Sequence, residues 1–235
     1  MVITILLVLL VISFVAMMIF SATSYKRLLK NYNKFSAEKV SCNLTGLQLA
    51  RYMIACYHLK TNIALTDKDL NDCYVSQKDV VVLSHKTANT SNIASLSITA
   101  HEISHAVQRK NKNFIFLFSH FLYYVVKIGN YLMLPLIIAG IILLFFPQYF
   151  ESAKIILLIV LCFFLSAVLL KFVKVPVEFG ASKIAYNFLK DKKILNAGEL
   201  KHAKKMLKVA GQTYVADIFV KIVVLFKKIG NSFRS

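Results

Sequence analysis

The sequence predicts an all-α or mostly α integral membrane protein that carries a zincin-like metal-site domain. Three observations lead there. Residues 2–20 contain no charged side chain. Two further uncharged apolar stretches, 130–146 and 155–170, follow one another across a short loop. Between the first stretch and the second lies "SITAHEISHAVQRK" (97–110), which sets His101, Glu102 and His105 within about one helical turn of each other.

The first apolar stretch reaches ~28 Å as a helix, close to the hydrocarbon thickness of a bilayer. It lacks the basic leader of a cleaved signal and is longer than the usual signal core, so residues 1–20 are expected to be an N-terminal anchor. Residues 24–35 follow as a basic, aromatic juxtamembrane helix candidate. "NLTGLQLARYMIACYHL" (43–59) has a Thr45 start signal and apolar residues at helical spacing. "DVVVLSH" (79–85) is the one clear strand signal, a β-branched run between polar residues. Residues 89–112 begin with Thr, Ser and Asn cap candidates and end in basic residues, as helix termini prefer.

"FIFLFSHFLYYVVK" (114–127) is apolar but too short to span alone, so it lies at the interface or extends toward the next stretch. Tyr123, Tyr124 and Tyr131 suit an interfacial aromatic belt. Residues 129–173 then form a transmembrane helical hairpin. In "KVPVEFGASKIAYNFLK" (174–190), Pro176 is expected to open a helix whose first turn holds Glu178. Two basic C-terminal helices are expected, 197–211 and 213–228; whether the latter spans is open. The expected domains are thus 1–20, 21–128, 129–173 and 174–235.

The net charge of +18 fixes orientation. Residues 21–113 hold 13 Lys or Arg against 6 acidic residues, and 174–235 hold 13 against 4, while the hairpin loop 147–152 holds no Lys or Arg. Both charged regions therefore face the cytoplasm of a multi-pass cell-membrane protein. The same charge suits the anionic inner leaflet, making the lipid bilayer the expected partner. No nucleic-acid motif accompanies the basic residues, and no nucleic-acid partner is expected. The four cysteines are widely spaced, without a C-x-x-C pair, and indicate no disulfide framework.

In a helix, His101 and His105 project from one face, so both imidazoles can bind one Zn²⁺ while Glu102 takes a proton from water at the metal. The bland alternative has three buried ionisable groups satisfying one another without a metal, which is costly. A third ligand is still needed, and no His follows at the extended H-x-x-G-x-x-H spacing. A ligand beyond the hairpin returns to the same membrane side, which singles out Glu178. An acidic residue at a helix start also has a plain dipole explanation. Glu199 lies in a Lys-rich polar helix and Glu151 on the far side of the membrane.

"LTGLQLAR" (44–51), "SNIASLSITAHEISHAVQ" (91–108), "VPVEFGAS" (175–182) and "LNAGELKHAKKMLKVAGQTYVA" (195–216) occur in the order seen in the YugP-type membrane neutral zinc metallopeptidases of bacteria, and the chain resembles that family over most of its length. The resemblance implies zinc-dependent peptide hydrolysis, with His101 and His105 as ligands and Glu102 as the base. Tyr214, in the matched "TYVA", is a candidate stabiliser of the transition-state oxyanion. A membrane-associated polypeptide is the expected substrate. Two departures stand out. Gly180 replaces the Asp of the family's E-F-D-A-S, and Asp72, Cys73, Tyr74 and Val75 replace its D-H-Y-D; Cys73 is there a weaker ligand candidate, with a plain substitution as the simpler reading. The alternative these changes raise is a catalytically degenerate scaffold, or a basic lipid-binding protein, that keeps the metal-site fold.

Overall fold

The structure is a computed structural model that describes residue 26 and residues 29–208. The expected anchor (1–20), the helix 213–228 and Tyr214 lie outside the described residues. The chain divides into two compact units, one formed by Met1–Asn111 with Glu178–Ser235 and the other by Lys112–Val177.

The first unit is mostly helical, with one small sheet that corrects the all-α arm of the expectation. Residues 29–36 form α1. Helix α2 (Gly46–Cys56) starts at a capping box: Gln48 N–H donates to Thr45 Oγ1 at 3.3 Å, and Thr45 N–H donates back to Gln48 Oε1 at 2.9 Å. Strands β1 (Asn62–Thr66), β2 (Cys73–Val75) and β3 (Val80–Ser84) follow. Their order is β1-β3-β2, with β1 parallel and β2 antiparallel to β3. The β-branched β3 takes the centre and buries Val81 and Leu83.

Ser84 ends β3 and caps α3 (His85–Asn89), its hydroxyl accepting from Thr87 N–H. The buried face of this junction is tied to the start of β2 by Asp72. Its carboxylate accepts from Ser84 N–H at 2.7 Å and Thr87 Oγ1 at 3.1 Å. Helix α4 (Ile93–Lys110) opens on Asn92, whose side chain accepts from Ser95 N–H, and closes on Arg109 and Lys110. Nearly every α4 side chain is buried against α2, α3 and the sheet. The backbones come so close that a Cβ on Gly46 would lie 2.2 Å from the Thr87 carbonyl oxygen.

Helix α5 (Phe114–Leu144) and a 3₁₀ turn (Pro147–Tyr149) precede α6 (Phe150–Asp191). Residues 114–127 are therefore the first turns of one long helix, capped by Asn113. Helix α6 corrects a second expectation. Pro176 does not open a helix but lies inside one that runs 42 residues. Proline costs one backbone hydrogen bond, a loss that long apolar helices tolerate when surrounding groups compensate. Glu178 is thus mid-helix, and the helix-dipole explanation for it falls away.

From Glu178 onward α6 belongs to the first unit. Ala185, Phe188 and Leu189 pack with Ile194, Leu195 and the buried Ala203, Met206 and Leu207 of α7 (197–208). Helix α7 starts on a reciprocal cap between Asn196 and Glu199, and Glu199 also accepts from Ser41 N–H at 2.8 Å. Glu199 is thereby accounted for as a structural residue.

In the second unit α5 and the first half of α6 are long and apolar enough to cross a membrane. Their outward side chains, among them Leu134, Phe145, Ile155 and Phe172, are exposed, a coat suited to lipid rather than water. Small residues mark their close contacts: a Cβ on Gly129 would meet Phe163 at 2.9 Å, and one on Gly140 would meet Leu157 at 2.8 Å.

Candidate metal centre

Helix α4 presents His101 and His105 four residues apart on one face, and their rings meet edge to face with centroids 4.9 Å apart. Glu178 on α6 faces both: its Oε2 lies 3.1 Å from His101 Nε2 and 3.4 Å from His105 Nε2. The three side chains are buried, with 2%, 7% and 3% of His101, His105 and Glu178 exposed. One ligand atom from each lies within 4.8 Å of the others.

The far nitrogens of both rings are also engaged. Ser182, one helical turn after Glu178, donates its proton to the Leu207 carbonyl at 3.1 Å. Its oxygen is then free to accept from His101 Nδ1–H, 3.3 Å away. His105 Nδ1 donates to Gln108 Oε1 at 3.0 Å. Each imidazole therefore keeps a proton on Nδ1 and aims Nε2 at the Glu178 carboxylate. A nitrogen lone pair cannot face a carboxylate oxygen at these distances unless a cation sits between them, either a proton or a metal. Two imidazoles and one carboxylate form a borderline donor set suited to Zn²⁺. The residues present fit the ion.

The charges respond accordingly. Burial pushes His105 down, but Glu178 on one side, with Gln108 on the other, outweighs it and holds the pKa at about 9. Burial raises the Glu102 carboxyl above its ordinary value, against the pull of His101 and His105. Glu102 is itself buried in α4, and its Oε2 accepts from the Tyr74 backbone N–H of β2 at 2.9 Å. The Tyr74 phenol donates to Asp79 Oδ1 at 2.8 Å and accepts from Arg109 Nη1 at 3.1 Å. Burial, reinforced by Asp79, pushes that phenol up to about 12, with Arg109 opposing. Strand β2 thus brackets the carboxylate of Glu102 and is in turn fastened to α4.

Three participants escaped the sequence reading: Ser182, Gln108 and the Tyr74 backbone amide. The first two had a signal, since Ser182 follows Glu178 by four residues and Gln108 follows His105 by three, the spacings at which helical neighbours share a face. The third had none, because a backbone donor has no side-chain signature. Cys73 is half-buried, and its thiol is pushed up by burial and by Glu102. Among the described residues the close ligand group comprises His101, His105 and Glu178, without Cys73. Asp72, in the same altered segment, ties β2 to the β3–α3 junction. His85 and His202 pair with Asp67 and Glu38 instead.

A buried two-histidine, one-glutamate cluster with a second glutamate beside it defines a candidate metal centre of the H-E-x-x-H kind. The chain belongs to the family described as "Putative neutral zinc metallopeptidase", which matches residues 7–232. It is similar to the "Putative membrane protease YugP" of Bacillus subtilis (strain 168), at 26% identity over 198 residues and 84% of each chain. No solved structure matches it.

Proposed function

We propose that the protein is a membrane-embedded zinc peptidase whose metal is held by His101, His105 and Glu178 and whose general base is Glu102. The observation that carries this reading is the convergence of both Nε2 atoms on Glu178 Oε2 with each Nδ1 already occupied. A zinc ion held there supplies Lewis-acid polarisation of the scissile carbonyl and acidifies the attacking water. Glu102 removes a proton from that water as the new C–O bond forms, then returns it to the amine nitrogen as the C–N bond breaks. The raised affinity of Glu102 for a proton suits both halves of that transfer. The Tyr74 amide holds one carboxylate oxygen, and the other would take the proton. Tyr214 is proposed as an additional oxyanion donor.

The two long apolar helices and the basic flanking segments support a multi-pass protein with the site on the cytoplasmic side. That position suits polypeptides in or beside the bilayer as substrates. The test is cleavage of membrane-derived and soluble protein pools by the purified chain, alongside Glu102→Gln. The reading predicts cleavage of the membrane pool and at least a hundredfold loss in the variant, in line with general acid–base contributions of about 10²–10⁴. Equal cleavage by both proteins would overturn the assignment of Glu102, and cleavage of soluble proteins alone would overturn the substrate class.

A further inference from the structure

The departure at residue 180 has a consequence for the metal centre. Gly180 lies on α6 between Glu178 and Ser182, and the space its absent side chain leaves holds the tip of Gln108: a Cβ built there would come 2.8 Å from Gln108 Nε2. Gln108 is buried, and its other amide atom, Oε1, accepts from His105 Nδ1 at 3.0 Å. We infer that Gln108 is a positioning residue for the metal centre, fixing the tautomer and ring angle of His105, and that Gly180 makes this possible by leaving room for the amide. The inference rests on the zinc-peptidase reading and extends it to two residues outside the ligand set.

A neutral imidazole has one N–H, and the partner of one nitrogen decides whether the other carries a lone pair. With Oε1 against Nδ1, Nε2 is the ligand atom. With the amide turned over, its NH₂ would face Nδ1 and drive the proton to Nε2, closing the ligand position. The orientation of the amide is therefore functional, because only Oε1 against Nδ1 leaves Nε2 its lone pair. A methyl at 180 displaces only the end of a flexible side chain, so the fold tolerates it. The displaced amide no longer holds His105.

The measurement is zinc affinity by competition with a chelator, on the full chain purified in detergent, for wild type, Gln108→Met, Gln108→Glu, Gly180→Ala and the Gln108→Met/Gly180→Ala pair. Partners that orient a ligating histidine typically contribute 10–100-fold in metal affinity. Gln108→Met is expected to weaken zinc by that factor, and Gln108→Glu, which keeps an acceptor at the same reach, to restore it. Gly180→Ala is expected to weaken zinc about tenfold when Gln108 is present and to add nothing in the Gln108→Met background. Wild-type affinity in Gln108→Met or Gly180→Ala, or two independent losses that add in the pair, would overturn the inference while leaving the zinc site intact. Should Gln108→Met fail to fold, Gly180→Ala decides the matter alone. A wild-type chain that takes up no zinc would overturn this inference together with the reading beneath it.

Discussion

Replacing Ser182 with alanine separates two roles that one hydroxyl performs. Ser182 Oγ gives its proton to the Leu207 carbonyl of α7 and receives the Nδ1 proton of His101. Ser182→Ala removes the hydroxyl from both partners, and losing such a bond in a buried setting costs about 1–3 kcal/mol. The Leu207 share is the same with and without metal, so it lowers the stability of the fold and cancels in the zinc affinity. The His101 share does not cancel, because the imidazole can bind through Nε2 only while Nδ1 holds the proton. At 3.3 Å that bond is long, so about 1–2 kcal/mol is appropriate, which corresponds to roughly 5–30-fold in affinity. Chelator competition reads the second share, and thermal unfolding of the metal-free protein reads the first. A variant that melts earlier yet binds zinc as tightly as wild type would refute the tautomer reasoning and reduce Ser182 to a tie between two helices.

Gly46→Ala sets a Cβ 2.2 Å from a backbone oxygen with no flexible atom to yield; overpacking costs about 1–3 kcal/mol or more, so the melting temperature should fall well below that of Gly180→Ala. An equal melting temperature for the two variants would contradict the close approach of α2 to α3. The pKa of His105 in the metal-free protein lies near 9, above its ordinary 6.5. Its pairing with Glu178 therefore stabilises the metal-free fold fully below about pH 6.5 and is lost as pH rises through about 9. Zinc must displace that proton, so its affinity should climb about tenfold per pH unit across the window and then level off; pH-independent binding there would rule out the raised pKa. Tyr74→Phe removes the phenol but keeps the amide on Glu102, so zinc affinity should stay unchanged while kcat falls as β2 loosens. A loss of zinc in that variant would mean that β2 supports the ligands rather than the base.

The placing of His101 and His105 on one face, with Glu102 beside them, was legible in the sequence because a four-residue spacing maps directly onto one helix face. The place of Glu178 beside the histidines was legible from the expected topology, in which a residue beyond the paired apolar stretches returns to the side of His101. Its local setting was not, because Pro176 carries a start signal at a helix opening and only a tolerated defect inside a long apolar helix. Strands β1 and β2 were hidden for a different reason. "NIALT" and "CYV" are too short and too mixed to show alternation, and they exist because β3 offers both edges. The sheet was therefore visible only at its centre, although its edge strand β2 carries the amide that holds Glu102.

The central claim is that His101, His105 and Glu178 together hold the metal, with Glu102 outside the ligand set. Zinc content of the zinc-loaded, detergent-purified chain tests it most directly, wild type beside His101→Ala, Glu178→Ala and Glu102→Gln. About one zinc per chain is expected in wild type and in Glu102→Gln, with loss of zinc in the other two. Full zinc without Glu178, or none in a folded wild type, would contradict it.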